Sequence, residues 1–227
     1  MHTLPLEILS KIFMSLPCIE LTRISRVCLA WRDFIQSDLY LQRACFKQPS
    51  IRYFDEGTEP GPIPAGVTAH MRFHPVMPHI SYQMGEASSF VYVRSNDVNQ
   101  CRIPLTELPL NNDFATIPTV KHMEIEILPD EMRPSRKARG LPGLKVSVSN
   151  PTGVRLGDIF LSIVTESTER CDLVAYASGG QIRNQWMTPS LTFQKKAEIL
   201  GKQKSYAGIK GMTIENGLIK VKLRTTL

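Results

Sequence analysis

The sequence lacks the features of secreted, disulfide-stabilised and membrane-spanning proteins. Its five cysteines are an odd number, and no two of them are spaced as a CxxC pair. This pattern argues against a disulfide framework and against a zinc site. There is no run of about eighteen apolar residues, and no charged N-terminal segment followed by an apolar one. We therefore expect reduced thiols and a cytoplasmic or nuclear location, with no membrane partner.

The sequence also lacks the common motifs of enzymes. It contains no GxSxG elbow, no P-loop and no Gly-rich dinucleotide fingerprint. Cys101 and Cys171 have no histidine close to them in the sequence, and the acidic pair Asp130 and Glu131 lies without apolar surroundings that would raise a pKa. We predict a non-catalytic protein.

Three histidines, His70, His74 and His79, lie near one another. Their spacing fits no common metal site, and no acidic or cysteine cluster accompanies them in the sequence. We interpret them as surface or hydrogen-bonded loop histidines, and we predict neither a metal nor another cofactor.

The positive charge is concentrated at the C-terminal end. The net charge is +6. From Thr192 onward the chain has eight basic residues and only two acidic ones, Glu198 and Glu215, and this difference accounts for the whole excess of positive charge. A lysine-rich solvated face is the interpretation we favour. The alternative is a nucleic-acid or anionic-surface binder, although no aromatic side chains are interleaved with these lysines. The basic residues are Lys195, Lys196, Lys202, Lys204, Lys210, Lys220, Lys222 and Arg224.

The length and composition indicate a small module and one further domain. The chain has 227 residues, of which 42% are hydrophobic and 21% charged, as in ordinary globular proteins. Residues 55–66 are dense in Pro and Gly without apolar periodicity, which is typical of an extended linker. We predict a helical module at 1–48, a linker at 49–70 and a second domain at 71–227.

The first part of the chain has the apolar spacing of short helices. Pro5 stands where a first helical residue belongs, Glu7 complements the helix dipole, and Pro17 ends the first helix and starts the second. Three short helices bury little apolar surface among themselves. The apolar surface that they leave unburied either packs against the rest of the chain or binds a partner. The apolar positions are Ile8, Leu9, Ile12, Phe13 and Leu16, then Leu21, Ile24, Val27 and Cys28, then Trp31, Phe34 and Ile35, and finally Leu39, Tyr40 and Leu41.

This stretch resembles an F-box over the full length of that motif. Tyr40 stands where the family more often has tryptophan, and Glu20 stands where aspartate is commoner. The resemblance is carried by Leu4-Pro5-x-Glu7-Ile8-Leu9, Ile12, Leu16-Pro17, Leu21, Val27-Cys28-x-x-Trp31 and Leu39-Tyr40.

The resemblance implies a three-helix module that binds the Skp-type adaptor of a cullin–RING (SCF) ubiquitin ligase. The protein would be a substrate receptor that presents an unknown protein for ubiquitination, or a scaffold that uses the adaptor alone. Carried over by position, the implied adaptor-binding residues are Leu4, Pro5, Ile8, Ile12, Leu16, Val27, Cys28 and Trp31.

The remaining sequence predicts an α+β domain of mostly antiparallel strands with two helices. Short strands are predicted within 71–95, and alternating strands over 122–128 and 144–149. One helix is predicted from Val154 to Ser167, with its apolar stripe packed on the sheet, and another from about Pro189 to Gly201.

The chain closes on a predicted β-hairpin. Asn216-Gly217 is a strong signal for a two-residue hairpin turn. With that turn, Ile214 pairs with Ile219 and Met212 pairs with Val221, so both strands place their apolar residues on one face.

Residues 71–227 also resemble a fungal domain of unknown function. Arg155 departs from the pattern, because that family tends to have threonine there. The family has no assigned chemistry, so the resemblance implies only a fold and a fungal source. It is carried by His74-Pro75, Ala115-Thr116-x-Pro118, Val154-x-Leu156-Gly157-Asp158-Ile159 and Gly208-Ile209.

Overall fold

The computed structural model of the chain combines N-terminal helices with a strand-rich region, which confirms the predicted α+β class. Most of the predicted linker lies outside the described residues, and the predicted domain boundaries stay a prediction. The structure describes residues 5–49, 71–86, 90–93, 102–129, 143–171, 194–202, 204–215 and 218–226.

The N-terminal part contains four short helices where the sequence predicted three. The apolar run at its end forms a helix of its own, because the Asp38 carboxylate accepts hydrogen bonds from the N–H groups of Tyr40 and Leu41, at 2.8 and 3.1 Å. The helices are α1 (Leu6–Met14), α2 (Cys18–Ile24), α3 (Leu29–Ser37) and α4 (Leu39–Ala44).

Two prolines mark the helix starts, as the sequence indicates. Pro5 lies just before the first helix, whereas the sequence predicts it as the first helical residue. Pro5 and Pro17 directly precede α1 and α2, with extended ψ values of 141° and 154°. Proline tolerates this position because its fixed φ suits extended as well as helical backbone. Leu6, and not Pro5, is therefore the first helical residue.

The strands of the described region are mostly short. Apart from the long strands of one sheet, each strand pairs with its neighbour over only two or three residues. They are β1 (Arg72–Phe73), β2 (Ile80–Ser81), β3 (Val91–Val93), β4 (Arg102–Pro104), β5 (Thr116–Ile117), β6 (His122–Pro129), β7 (Leu144–Ser149), β8 (Arg170–Cys171), β9 (Gln194–Lys195), β10 (Ser205–Glu215) and β11 (Leu218–Thr226).

The long strands form a four-stranded sheet in the order β10–β11–β6–β7. β11 runs parallel to β6, and the other neighbours are antiparallel. The alternation predicted for β6 and β7 is confirmed, because one face of each strand is buried. The buried residues are Met123, Ile125 and Ile127 on β6, and Leu144, Val146 and Val148 on β7.

The predicted hairpin register is confirmed. Ile214 pairs with Ile219 and Met212 pairs with Val221 between β10 and β11. The predicted turn residues lie outside the described part of the chain. Further from the turn the register shifts at Gly208, whose φ of +92° is a conformation that favours glycine.

The helix predicted from Val154 to Ser167 is present as α5 (Leu156–Thr168). It packs against β7, and Leu156, Ile159 and Ile163 on its inner face are buried. Asp158 fixes its first turn, because the carboxylate accepts a hydrogen bond from the Arg155 N–H at 2.9 Å. An acidic side chain at the third helical position thus supplies the half of a capping box that binds the N–H of residue 155.

The prediction of an α-helix that ends at Gly201 is wrong for the residues that the structure describes. Residues 194–195 form β9, which pairs with β8, and residues 196–200 form a 3-10 helix. Tertiary contacts override the helical pattern, because the Lys195 ammonium donates to the Gly85 carbonyl and Lys196 binds Glu166 and Glu169. Gly201 does end the element, with a φ of +62°.

One apolar core joins the sheet, α5 and the short strands. At its centre the Phe90 ring stacks on Tyr82 at 4.1 Å and contacts Phe160 at 4.2 Å between ring centroids. Among the described residues, none of the helices is both long enough and apolar enough to cross a membrane.

Candidate functional site

The N-terminal helices pack around a single aromatic residue of α1. The Phe13 ring lies 5.7 Å from Trp31 in an edge-to-face arrangement and 5.9 Å from Phe34, between centroids. These contacts join α1 to α3. The buried residues of this small core are Phe13, Leu21, Ile35, Leu41 and Cys45.

Polar contacts fix the fourth helix against the others. The Ser10 hydroxyl of α1 donates to the Asp38 carboxylate at 3.1 Å, and the same carboxylate caps α4. The Gln42 amide of α4 donates to the Ile35 carbonyl at the end of α3, at 2.8 Å. The helices therefore form a defined unit and not a loose set.

The outer surface of these helices is unusually apolar. In the described part of the chain, ten large apolar residues are exposed, and nine of them lie between positions 6 and 40. Contiguous exposed apolar surface is typical of interaction sites in soluble proteins. The nine residues are Leu6, Ile8, Ile12, Met14, Ile19, Val27, Leu29, Leu39 and Tyr40. We call them the apolar surface.

The structure separates the predicted adaptor-binding residues into two groups. Five are exposed and available to a partner: Pro5, Ile8, Ile12, Val27 and Cys28.

The other group faces the module's own interior. Trp31 and Leu16 are partly buried and pack against the small core. Leu4 lies outside the described residues. The assignment of the eight residues to an adaptor stays a prediction.

Several exposed apolar residues were not among those predicted. Leu6, Met14, Ile19 and Leu29 belong to the apolar surface although the sequence analysis did not select them. Leu6 fills the variable position of the Leu-Pro-x-Glu start, so the motif gave no signal for it. Helical phase gives no signal for its exposure either, because Leu6 lies one turn before Leu9, which packs against the small core.

The end of the helical module is attached to the strand-rich region. Phe46, whose φ of +63° is uncommon for a residue with a side chain, buries its ring 4.8 Å from the His74 ring. Its carbonyl accepts a hydrogen bond from the Phe114 N–H at 2.8 Å. Backbone and side chain of one residue thus bridge the two parts.

An ion pair completes this junction. The Lys47 ammonium contacts both carboxylate oxygens of Asp113, at 2.6 and 2.7 Å. His74 Nε2 lies 3.4 Å from the same carboxylate, and its Nδ1 accepts from the Val76 N–H at 3.2 Å. We call Phe46, Lys47, His74 and Asp113 the junction cluster.

The histidine contacts give a structural role to one of the three histidines noted in the sequence. His74 is buried and hydrogen-bonded, as one of the two interpretations expected. Across the described residues, no group of three His, Cys, Asp or Glu side chains is arranged to hold a metal ion. His70 lies outside those residues.

The basic C-terminal residues are partly neutralised by acidic neighbours. Burial lowers the pKa of Lys196, but hydrogen bonds to Glu166 and Glu169 outweigh it and raise that pKa above its ordinary value. Lys204 pairs with Glu198 at 2.7 Å. On the sheet, Lys220 and Lys222 of β11 stand opposite Glu124 and Glu126 of β6.

This pairing bears on the nucleic-acid alternative. Cations that are already matched by carboxylates release fewer counterions on binding a polyanion. The lysines that are matched in this way therefore give that alternative no support.

Comparison with known families bears on the N-terminal helices. A family model described as F-box-like matches residues 1–47. No curated protein and no solved structure matches the chain. The match stops before residues 71–227, so their resemblance to a fungal domain of unknown function stays a prediction. F-box domains are typically non-catalytic subunits, and the match suggests an SCF adaptor-binding role. The helices that present the apolar surface are thus an N-terminal F-box-like domain, followed by a mixed α+β region.

Proposed function

We propose that this protein is a substrate receptor of a cullin–RING ubiquitin ligase. Its F-box-like domain docks on a Skp-type adaptor, and residues 71–227 hold a protein that is then ubiquitinated and degraded. The observation that carries the proposal is the apolar surface, which lies within the residues that match the F-box-like family.

The exposed positions support docking through helices α1 and the α2–α3 connection. Ile8 and Ile12 lie four residues apart on α1, which places them on the same side of the helix. Val27 is 65% exposed immediately before α3. Burial of such side chains is worth about 1.5–3 kcal/mol each when it is complete. A few of them therefore supply a substantial share of a stable interface.

In this proposal residues 71–227 provide the surface for the recruited protein. Their core is extensive, and the junction cluster fixes them to the F-box-like domain through a buried carboxylate. The protein itself is non-catalytic in this proposal and acts in the cytoplasm or nucleus. Its proposed contribution is to hold the recruited protein at the ligase.

The test measures binding of the purified full chain to a purified Skp-type adaptor. Ile8→Ser and Val27→Ser each remove an exposed apolar side chain, and each is expected to weaken binding at least about tenfold, which corresponds to about 1.4 kcal/mol. Leu161→Ser is the matched control, because Leu161 is 68% exposed on α5, outside the F-box-like domain. It should bind like wild type.

Trp31 is a less selective probe than these positions. Its ring packs on Phe13, so Trp31→Ala is expected to lower stability as well as binding. Absence of adaptor binding by the folded wild-type chain would remove the proposal. Binding without ubiquitin transfer to any captured protein in a reconstituted ligase would leave only the scaffold role.

A further inference from the structure

One carboxylate ties two helices of the F-box-like domain together. Asp38 lies between α3 and α4, and one of its oxygens accepts hydrogen bonds from the N–H groups of Tyr40 and Leu41. Its other oxygen accepts a hydrogen bond from the Ser10 hydroxyl of α1 at 3.1 Å, across 28 positions of sequence. We call the contact between Ser10 and Asp38 the latch. It connects the middle of α1 to the start of α4.

The latch lies on the side of α1 opposite to its proposed docking residues. Ile8 lies two positions before Ser10, and Ile12 lies two positions after it. Because a helix turns by about 100° per residue, both isoleucines point away from the side of Ser10. Leu6 and Met14, each four positions from Ser10, share its side of the helix. All four apolar residues are exposed, so the rotation of α1 about its axis decides where each of them meets a partner.

The latch is the directional contact between α1 and its neighbours. Phe13 packs its ring against Trp31 and Phe34 of α3, and apolar packing of this kind is not directional. A hydrogen bond, in contrast, weakens steeply when its geometry is disturbed. Within the described ranges, the Ser10 hydroxyl makes the only side-chain hydrogen bond that joins α1 to the other helices. Since Asp38 directly follows the last residue of α3, the latch fixes the rotation of α1 relative to both α3 and α4.

We propose that Ser10 and Asp38 are positioning residues for adaptor docking, an inference that rests on the proposed function. They hold Ile8 and Ile12 of α1 in a fixed relation to Val27, which immediately precedes the residues that start α3. A partner that contacts both places at once binds most tightly when they are already arranged as in the complex. Without the latch, α1 remains packed through its apolar side but adopts other rotations, so the fraction of the chain that is competent to bind falls.

The test measures the Kd of the purified full chain for a purified Skp-type adaptor by calorimetry. Ser10→Ala removes the latch at a helical position where alanine is well tolerated, and it is expected to raise the Kd about tenfold. Ser10→Thr keeps a hydroxyl at the same place and should bind like wild type. Ser15→Ala is the matched control and should also bind like wild type, because the Ser15 hydroxyl donates only to the Ile12 carbonyl within its own turn.

The Kd separates positioning from a merely structural role. A chain that is only destabilised by the loss of one hydrogen bond stays almost fully folded far below its unfolding transition, so its Kd would not change. Urea denaturation of each variant shows that it is folded under the conditions of the binding assay. The inference is overturned if Ser10→Ala binds as tightly as wild type, or if Ser15→Ala loses as much affinity. Absence of binding by the wild-type chain is a different result, which removes the proposed function itself and the latch's role with it.

Discussion

The contact between Lys47 and Asp113 offers a direct test of how the two parts of the chain are joined. Lys47→Met removes the ammonium but keeps a side chain of similar length, so the apolar packing of the stem is largely retained. The Asp113 carboxylate is only 4% exposed, and it loses both of its contacts with the ammonium. His74 Nε2, at 3.4 Å, is then the nearest ionisable neighbour in the junction cluster.

The expected loss follows from the burial of the carboxylate. Breaking a fully buried ion pair by removing one partner costs about 3–5 kcal/mol, because an uncompensated charge stays behind. Lys47 is 38% exposed, so water would reach the carboxylate from its side and reduce the penalty. We expect Lys47→Met to lower the free energy of unfolding by about 2–3 kcal/mol.

Urea denaturation of the full chain, followed by circular dichroism, measures this loss. Lys202→Met is the control, since Lys202 is exposed in the turn after the 3-10 helix, and its effect should stay within about 0.5 kcal/mol. The double variant Lys47→Met/Asp113→Asn removes both charges and should recover part of the stability. A loss no larger than that of the control, or no recovery in the double variant, would refute a buried charge at the junction.

Four further substitutions test details of the fold by the same denaturation measurement. The Tyr206 hydroxyl is buried and has no hydrogen-bond partner among the described residues, so Tyr206→Phe should leave stability unchanged or raise it by about 1 kcal/mol. Tyr82→Phe should lower it by about 1 kcal/mol, because that hydroxyl donates to the Glu86 carbonyl at 2.8 Å. Asp158→Ala removes the carboxylate that caps α5 and should cost about 1–2 kcal/mol. Gly153→Ala should cost more than about 1 kcal/mol, since φ is +111° and the added methyl would collide with the Thr119 side chain.

The parts of the fold that follow local rules could be predicted from the sequence. The alternation over 122–128 places Met123 and Ile125 on the buried face, since side chains on a strand alternate between two faces. The hairpin register followed from the same rule combined with a two-residue turn, and the pairing of Met212 with Val221 confirms it. Both inferences need only neighbours in the sequence.

The parts that depend on distant partners could not be predicted. Residues 194–200 have a helical pattern, but β9 pairs with β8, and Lys196 binds two glutamates of α5 and its end. The junction cluster likewise joins Lys47 to Asp113 across 66 positions of sequence. The positive φ of Phe46 has no local signal, because only its tertiary contacts offset the strain.

The candidate site was only partly accessible to sequence reasoning for a related reason. Phe13 faces the core of the F-box-like domain while Ile8 and Ile12 face solvent, yet all are apolar residues of one short helix. Periodicity separates apolar from polar faces, but it does not distinguish an apolar face that packs internally from one that is kept for a partner. That distinction required the three-dimensional positions of α3 and α4.

The distribution of apolar residues suggests how the F-box-like domain remains folded before it meets a partner. Its fully buried core is small, and nine of the ten exposed large apolar residues in the described part of the chain lie on its surface. A single core of this size rarely supplies more than about 3–5 kcal/mol. Contacts with the strand-rich region, through Phe46 and the buried Asp113, add to that stability. The junction cluster both orients the F-box-like domain and allows it to leave so much apolar surface exposed.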